Sequence, residues 1–342
     1  MKTASPSRER TRAPALLGVI AGLIAAADCS APTRTPDPDL GPEPGFVITE
    51  GDNDFETTAV SWLETTAGPT RFAFISIALR APTDVASHYL YTGGVIAGCQ
   101  DLRCFPPTST IFAEALLSMF SVDWSPVGAA AVFDGRRAGE TANWIFVLAP
   151  GAEPRAWVTG HEPAWAPNAG AIVYVETGRH ALRMLNPVAG DSWVERDGLV
   201  GAAHPRLSPD GTRVAYSAED GTRGRRIFVL LRNQPDRIAD VVSMPDELPG
   251  GLSNADGTDD DFPTWSPSGR YLAYRSRLRD AGPRDAIFIT EPETEPENVV
   301  RILAAVPGTQ MTGLRWHAQG ELMLLILDGN IYTCTMPERY RD

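Results

Sequence analysis

Twelve residues, Pro205-Arg206-Leu207-Ser208-Pro209-Asp210-Gly211-Thr212-Arg213-Val214-Ala215-Tyr216, set the terms for the rest of the chain. An apolar anchor, a tight Ser-Pro-Asp-Gly turn and an alternating run ending in an aromatic predict two short antiparallel strands joined by a hairpin. The pattern recurs. Trp265-Ser266-Pro267-Ser268-Gly269 leads to Tyr274, Trp165-Ala166-Pro167 leads to Tyr174, and Trp124-Ser125-Pro126-Val127-Gly128 leads to Phe133. In all four copies the aromatic lies nine positions beyond the anchor.

Each copy is followed by a second apolar strand centred on Ile-Phe or a near equivalent: Ile145-Phe146, Ile227-Phe228, Ile287-Phe288 and Ile331-Tyr332, with Leu182-Arg183 as the departure. Two weaker copies complete the set, one at Trp316 with Leu325 nine residues on, the other at Ser61-Trp62-Leu63 ahead of Phe72 and Phe74. The anchors at 62, 124, 165, 207, 265 and 316 are separated by steps of 62, 41, 42, 58 and 51 residues. Units of that length, each holding about four short strands, are propeller blades and not solenoid turns. The expected fold is therefore all-β, a six-bladed β-propeller of four-stranded antiparallel blades over residues 46–342. The Trp anchors are expected to pack between blades.

On these residues the chain resembles the TolB-type β-propeller repeat family, a WD40-like group with the consensus Trp-Ser-Pro-Asp-Gly followed by an Ile-Ala-Phe-like strand. The resemblance covers roughly residues 46 to 342 and is strongest from Trp124 to Thr290. It implies a fold, and it leaves open binding platform, scaffold and enzyme.

The last repeat turns at Asp328-Gly329-Asn330 and ends in the Ile331–Cys334 strand, with eight residues left over. Its blade therefore lacks an outer strand, and a ring with an open edge invites pairing between molecules. Phe46-Val47-Ile48-Thr49 is predicted to supply that strand and join the two ends of the ring.

Residues 1–28 read as an export signal: a basic start, an apolar run from Ala15 to Ala27 and small residues at the end. The run is too short to span a bilayer comfortably. Ala25-Ala26-Ala27 fits an ordinary cleavage site, whereas Leu23 to Cys29 looks like a bacterial lipobox with Cys29 as the lipidated residue. Asp28 departs from the lipobox pattern. The lipid reading accounts for a Cys placed between an apolar run and a Pro-rich spacer, and Ser30 beside it resembles the outer-membrane sorting pattern of Gram-negative lipoproteins. Residues 29–45 form a Pro-rich, extended tether.

The formal charge is -13, and the first 28 residues carry Lys2, Arg8, Arg10 and Arg12 against Glu9 and Asp28, which leaves the remainder at -15. Such a body repels phosphate backbones, so no nucleic-acid partner is expected. Cys99 and Cys104 are expected to close a small disulfide loop, as suits an exported protein, with Cys334 left as a buried thiol.

Counting back three or four positions from the anchors gives His161, Glu162, His204 and Asp261, which successive blades should present together at one mouth of the channel. Two His and two carboxylates are types that a divalent metal takes. Some sugar-acid lyases of the resembled family place metal ligands at such a mouth. The competing expectation is a polar channel lining with no cofactor. Asp52-Asn53-Asp54-Phe55-Glu56 and Asn254–Asp261 invite a calcium reading, but neither has the full ligand pattern and both are expected to be solvated loops. There is no Gly-x-Ser-x-Gly elbow, no phosphate-binding Gly-rich loop and no Cys-x-x-Cys pair.

The function expected is a non-enzymatic, exported propeller of a Gram-negative envelope. It would bind a protein partner and touch the membrane only through lipid on Cys29. The alternative is a metal-dependent, carbohydrate-active propeller using His161, His204, Asp261 and Glu162, with His161, His204 and Asp261 as the metal ligands.

Overall fold

The computed structural model describes strand residues 46–49, 55–63, 71–78, 87–94 and 109–113. From 117 onward it describes all but 128–129, 138, 150–151, 222–223, 233, 235–237, 243–246, 249–251, 254–257, 279–283, 293–299, 305–307 and 342. Cys29, Cys99, Cys104 and parts of both acidic segments lie outside the described residues.

The Ser-Pro turn closes its hairpin through a repeated set of bonds. The Ser208 N–H donates to the Arg213 carbonyl at 2.9 Å, and the Ser208 hydroxyl oxygen accepts the Arg213 N–H at 3.0 Å. Ser266 and Tyr271 make the same exchange at 2.9 and 3.1 Å. Asp210 accepts the Thr212 N–H at 3.0 Å, and Gly211 takes the left-handed conformation at φ 70°. Pro presets the first turn dihedral and Gly the last, which is why these residue types recur. In the Trp165 copy Ala169 holds the left-handed position at φ 54°, and Ala166 has no hydroxyl to offer.

The aromatic nine positions on then meets the Ile-Phe strand directly. Phe133 is the register partner of Phe146, Tyr216 of Phe228 and Tyr274 of Phe288, with ring centroids 5.2, 5.6 and 5.9 Å apart. Such pairs add about 0.5–1.5 kcal/mol each beyond burial. Where the motif departs, Tyr174 faces Arg183, whose guanidinium reaches Glu176 at 3.3 Å and the Ser192 hydroxyl at 3.1 Å.

Among the described residues the strands form six four-stranded antiparallel units. Their first strands are Phe55–Leu63, Leu117–Trp124, His161–Trp165, Ala203–Leu207, Thr258–Trp265 and Met311–Trp316, and each ends at or one residue past its anchor. We number the units blades 1 to 6 in that order. Each first strand packs on the next, and Phe55–Leu63 packs on Met311–Trp316, so the ring closes. Blades 4 and 5 are also joined edge to face by a short parallel pairing of Gly224 and Arg225 with Thr258 and Asp259.

The chain-terminal closure is as expected. Phe46–Thr49 is the outer strand of blade 6, antiparallel to Asn330–Thr335, with Phe46 opposite Thr333 and Val47 opposite Tyr332. A short helical turn, Glu338–Tyr340, then folds back so that Tyr340 meets Tyr271 edge-on at 5.2 Å.

Two expectations need correction. Cys334 is buried, but it is disulfide-bonded and not a thiol, with its partner outside the described residues. The second acidic segment is not a solvated loop throughout. Thr258, Asp259, Asp260 and Asp261 belong to the first strand of blade 5, where Asp260 and Asp261 are buried and Asp261 is matched by cationic neighbours.

Candidate functional site

The first strands of blades 3, 4 and 5 each carry a bulge, with register shifts at His161/Ala164, Ala203/Arg206 and Asp261/Thr264. At each bulge the residue three before the anchor adopts a positive φ: Glu162 at 54°, His204 at 50° and Phe262 at 55°. Non-glycine residues rarely tolerate that conformation, and bulges re-aim side chains. Here the bulges turn Glu162 and His204 to meet across the blade boundary.

The result is a polar belt around the channel. The His204 N–H donates to Glu162 Oε2, and its Nε2 lies 3.5 Å from Glu162 Oε1. On its other side His204 Nδ1 is 2.6 Å from Asp261 Oδ1, and the ring packs on Phe262 at 4.1 Å. His161 Nδ1 reaches Glu162 Oε2 at 3.8 Å. All four residues singled out from the sequence are therefore brought together. They sit inside the first strands, at the bulges, and not ahead of them.

The structure adds members that the repeat did not reveal. The Ser217 hydroxyl donates to Asp261 Oδ1 at 2.6 Å, and Arg225 donates to that hydroxyl at 3.0 Å. Arg275 lies 3.7 Å from Asp261 and 3.4 Å from both Asp259 and Asp285. Asp285 in turn accepts the Met311 N–H of blade 6 at 2.5 Å. On the far side Asp134 of blade 2 accepts the Ser121 hydroxyl and feels both Glu162 and His161. Five consecutive blades are tied through these groups.

Charge on the belt is self-consistent. Burial works against the imidazolium of His204, but the Asp261 and Glu162 charges outweigh it and raise its pKa. Burial alone would raise Asp261 and Glu162, yet His204 holds Asp261 well below the usual carboxylate range and also lowers Glu162. An imidazole set between two carboxylates is favoured in its cationic form. Among the described residues no group of three or more His, Cys, Asp and Glu side chains is disposed to hold a metal ion.

Asp134 makes a testable exception. Burial pushes its carboxyl up to about 6. The folded state thus keeps this proton up to about pH 6 while the unfolded chain releases it near pH 4, so stability falls as pH rises between those values and is level above. Asp134→Asn keeps an oxygen for Ser121 and removes that penalty. It is expected to be more stable than the parent by about 2–3 kcal/mol at pH 8, with the gap closing by pH 4, in paired urea unfolding curves. A variant that is less stable at pH 8 would contradict this.

No protein-family model matches the chain, and no curated protein matches it. Solved structures do. The putative TolB of Agrobacterium tumefaciens superposes with a TM-score of 0.53 at 18% identity, over 83% of this chain and 90% of that one. This chain has a TolB-like β-propeller fold. TolB from Acinetobacter baumannii gives 0.51 at 14% identity over 69% of this chain, and this chain spans about half of that protein, 52%. A chain of the mitotic checkpoint complex gives 0.51 at 11% identity, over 82% of this chain and 90% of that one. Within the TolB-like fold, identities this low carry the architecture alone.

Proposed function

We propose that this TolB-like propeller is a non-enzymatic scaffold of a bacterial envelope, exported through residues 1–28, held to the membrane by lipid on Cys29, and binding a protein partner through one face of the ring. The observation that carries the reading is the belt. The side chains with the chemistry a catalyst would need face one another across blade boundaries, so they brace a rigid platform. Rigid rings with variable loops are suited to presenting a binding face. If Cys29 is acylated, Cys334 takes its disulfide partner from Cys99 and Cys104, and the short loop expected between those two is then open.

The test uses the full exported chain. Purified protein should carry less than stoichiometric Mn, Zn or Ca by elemental analysis, and crosslinking in envelope fractions should trap a discrete complex of fixed composition. Stoichiometric metal that disappears in a His161→Ala, His204→Ala double variant would replace the scaffold with a metal-dependent enzyme. The mass of the mature amino terminus reads the lipid on Cys29 separately.

A further inference from the structure

At the opposite end of the first strands, where the anchors meet the Ser-Pro turns, the ring holds a cavity of about 300 Å³, near the lower limit for small-ligand pockets. All six blades contribute to its lining, so it lies on the ring axis. Its apolar walls are four indoles, Trp124, Trp165, Trp265 and Trp316, together with prolines of the turns. The Trp265 indole N–H donates to the Arg206 carbonyl at 3.0 Å and the Trp316 indole N–H to the Gly320 carbonyl at 3.3 Å, which fixes both rings in advance of any ligand. A slot of this size takes a narrow rod of chain and has no room for a folded partner. Aromatic-lined grooves suit Pro-rich segments, because a polyproline helix is ordered beforehand and loses little entropy on docking.

The chain carries such a segment and delivers it to this end of the ring. Residues 29–45 lie outside the described residues and contain Pro32, Pro36, Pro38, Pro42 and Pro44. Trp316 is the register partner of Met323 and Met323 of Cys334, while Phe46 pairs with Thr333, one residue further from the anchor. Because Phe46–Thr49 runs antiparallel to Asn330–Thr335, the chain before Phe46 leaves blade 6 at the level of Trp316, on the anchor side. From there the way inward is short. Four strands abreast put the outer strand about 14 Å from the inner one. Residues 40–45 cover about 19 Å as an extended polyproline chain, which brings Thr35–Asp39 to the cavity and leaves 29–35 to reach the attachment point.

We propose that the Pro-rich tether docks back on its own ring, with Thr35–Asp39 in the anchor-side cavity and Pro36 and Pro38 packed against the indoles. The docked tether occupies this mouth and turns the belt-side mouth away from the point of attachment. Docking does not depend on the scaffold reading, because it uses none of the belt residues and is measured without a partner.

A synthetic peptide of residues 33–45, acetylated and amidated, is titrated into two forms of the full exported chain with tryptophan fluorescence as readout: the parent, and a Pro36→Ser, Pro38→Ser variant whose ring is unchanged. The attached segment of the parent competes at an effective concentration of order millimolar, so the peptide is expected to bind the variant at least about tenfold more tightly than the parent. A peptide with serine in place of both prolines should fail to bind either form. Ala318 stands exposed in the turn of blade 6 and lines the cavity. Ala318→Glu, added to the variant, sets a longer side chain and a charge like those of Asp37 and Asp39 in the mouth, and should abolish peptide binding with Tm unchanged. Should Ala318→Glu melt lower, the serine peptide alone decides. Equal affinity for parent and variant would assign the cavity to a Pro-rich segment of another protein and overturn the proposal. It is equally overturned if the peptide binds neither form, if the serine peptide binds as well, or if binding survives Ala318→Glu.

Discussion

Replacing His204 with alanine is expected to cost about 3–5 kcal/mol of folding free energy at pH 6, the largest single-residue loss in the belt. The imidazole is the charge that both Glu162 and Asp261 face, at 3.5 and 2.6 Å, so its removal leaves buried Asp261 and half-buried Glu162 with only the longer contacts to Arg275, at 3.7 Å, and His161, at 3.8 Å. The pH dependence separates this from a simple packing loss. Because the folded-state pKa of His204 is raised, its contribution is complete below the unfolded value near 6.5 and fades as pH climbs through the folded value. Glu162 and Asp261 are lowered, so their contribution is complete above the unfolded values near 4 and fades as pH falls through the folded ones. The difference in stability between parent and variant should therefore be widest between about pH 4 and pH 6.5 and narrow on both sides. Chemical unfolding at pH 3, 6 and 9 measures it. A difference that stays constant across that range would mean that the ring acts by filling space beside Phe262.

Deleting Phe46–Thr49 from the otherwise intact chain is the second large effect. The deletion removes the outer strand of blade 6 and uncovers the edge of Asn330–Thr335. Loss of that seam should lower Tm by about 10 °C or more, taking a few degrees per kcal/mol for a domain of this size. The bare edge should also make the protein associate with rising concentration. Calorimetry together with sedimentation at two concentrations reads both. A parent-like melt and a monomer at high concentration would show that the ring does not need its clasp.

Much of this architecture was legible because a propeller repeats its chemistry. A Ser that accepts across a hairpin, a Gly at positive φ and a Tyr nine residues beyond a Trp are each required in nearly every blade, so the pattern stands out from the background. The closing strand was legible by subtraction, since the last repeat ended one strand short. The belt was half legible. Glu162 and His204 stand three residues before their anchors and His161 and Asp261 four, whereas Asp134, Ser217 and Arg275, each ten residues past its anchor, differ in chemical type and did not stand out, and Asp285 lies on a third strand. The bulges were not legible at all, because Glu162 and His204 adopt a glycine-like backbone without being glycine. Cys334 shows the limit of counting, since its apolar strand suggested an isolated thiol and the distant partner left no local mark.

The pairing of Phe46 with Thr333 also sets an order of events during biosynthesis. Translation delivers a polypeptide from its amino end, so this strand emerges long before its mate exists. Until the final blade arrives that segment has no lodging in the ring, and contacts that span so much of the chain form slowly. Closure of the ring is thereby gated by the sixth blade. Products of interrupted synthesis would display a vacant strand and its unmet edge, which quality-control proteases can use to tell them from finished molecules.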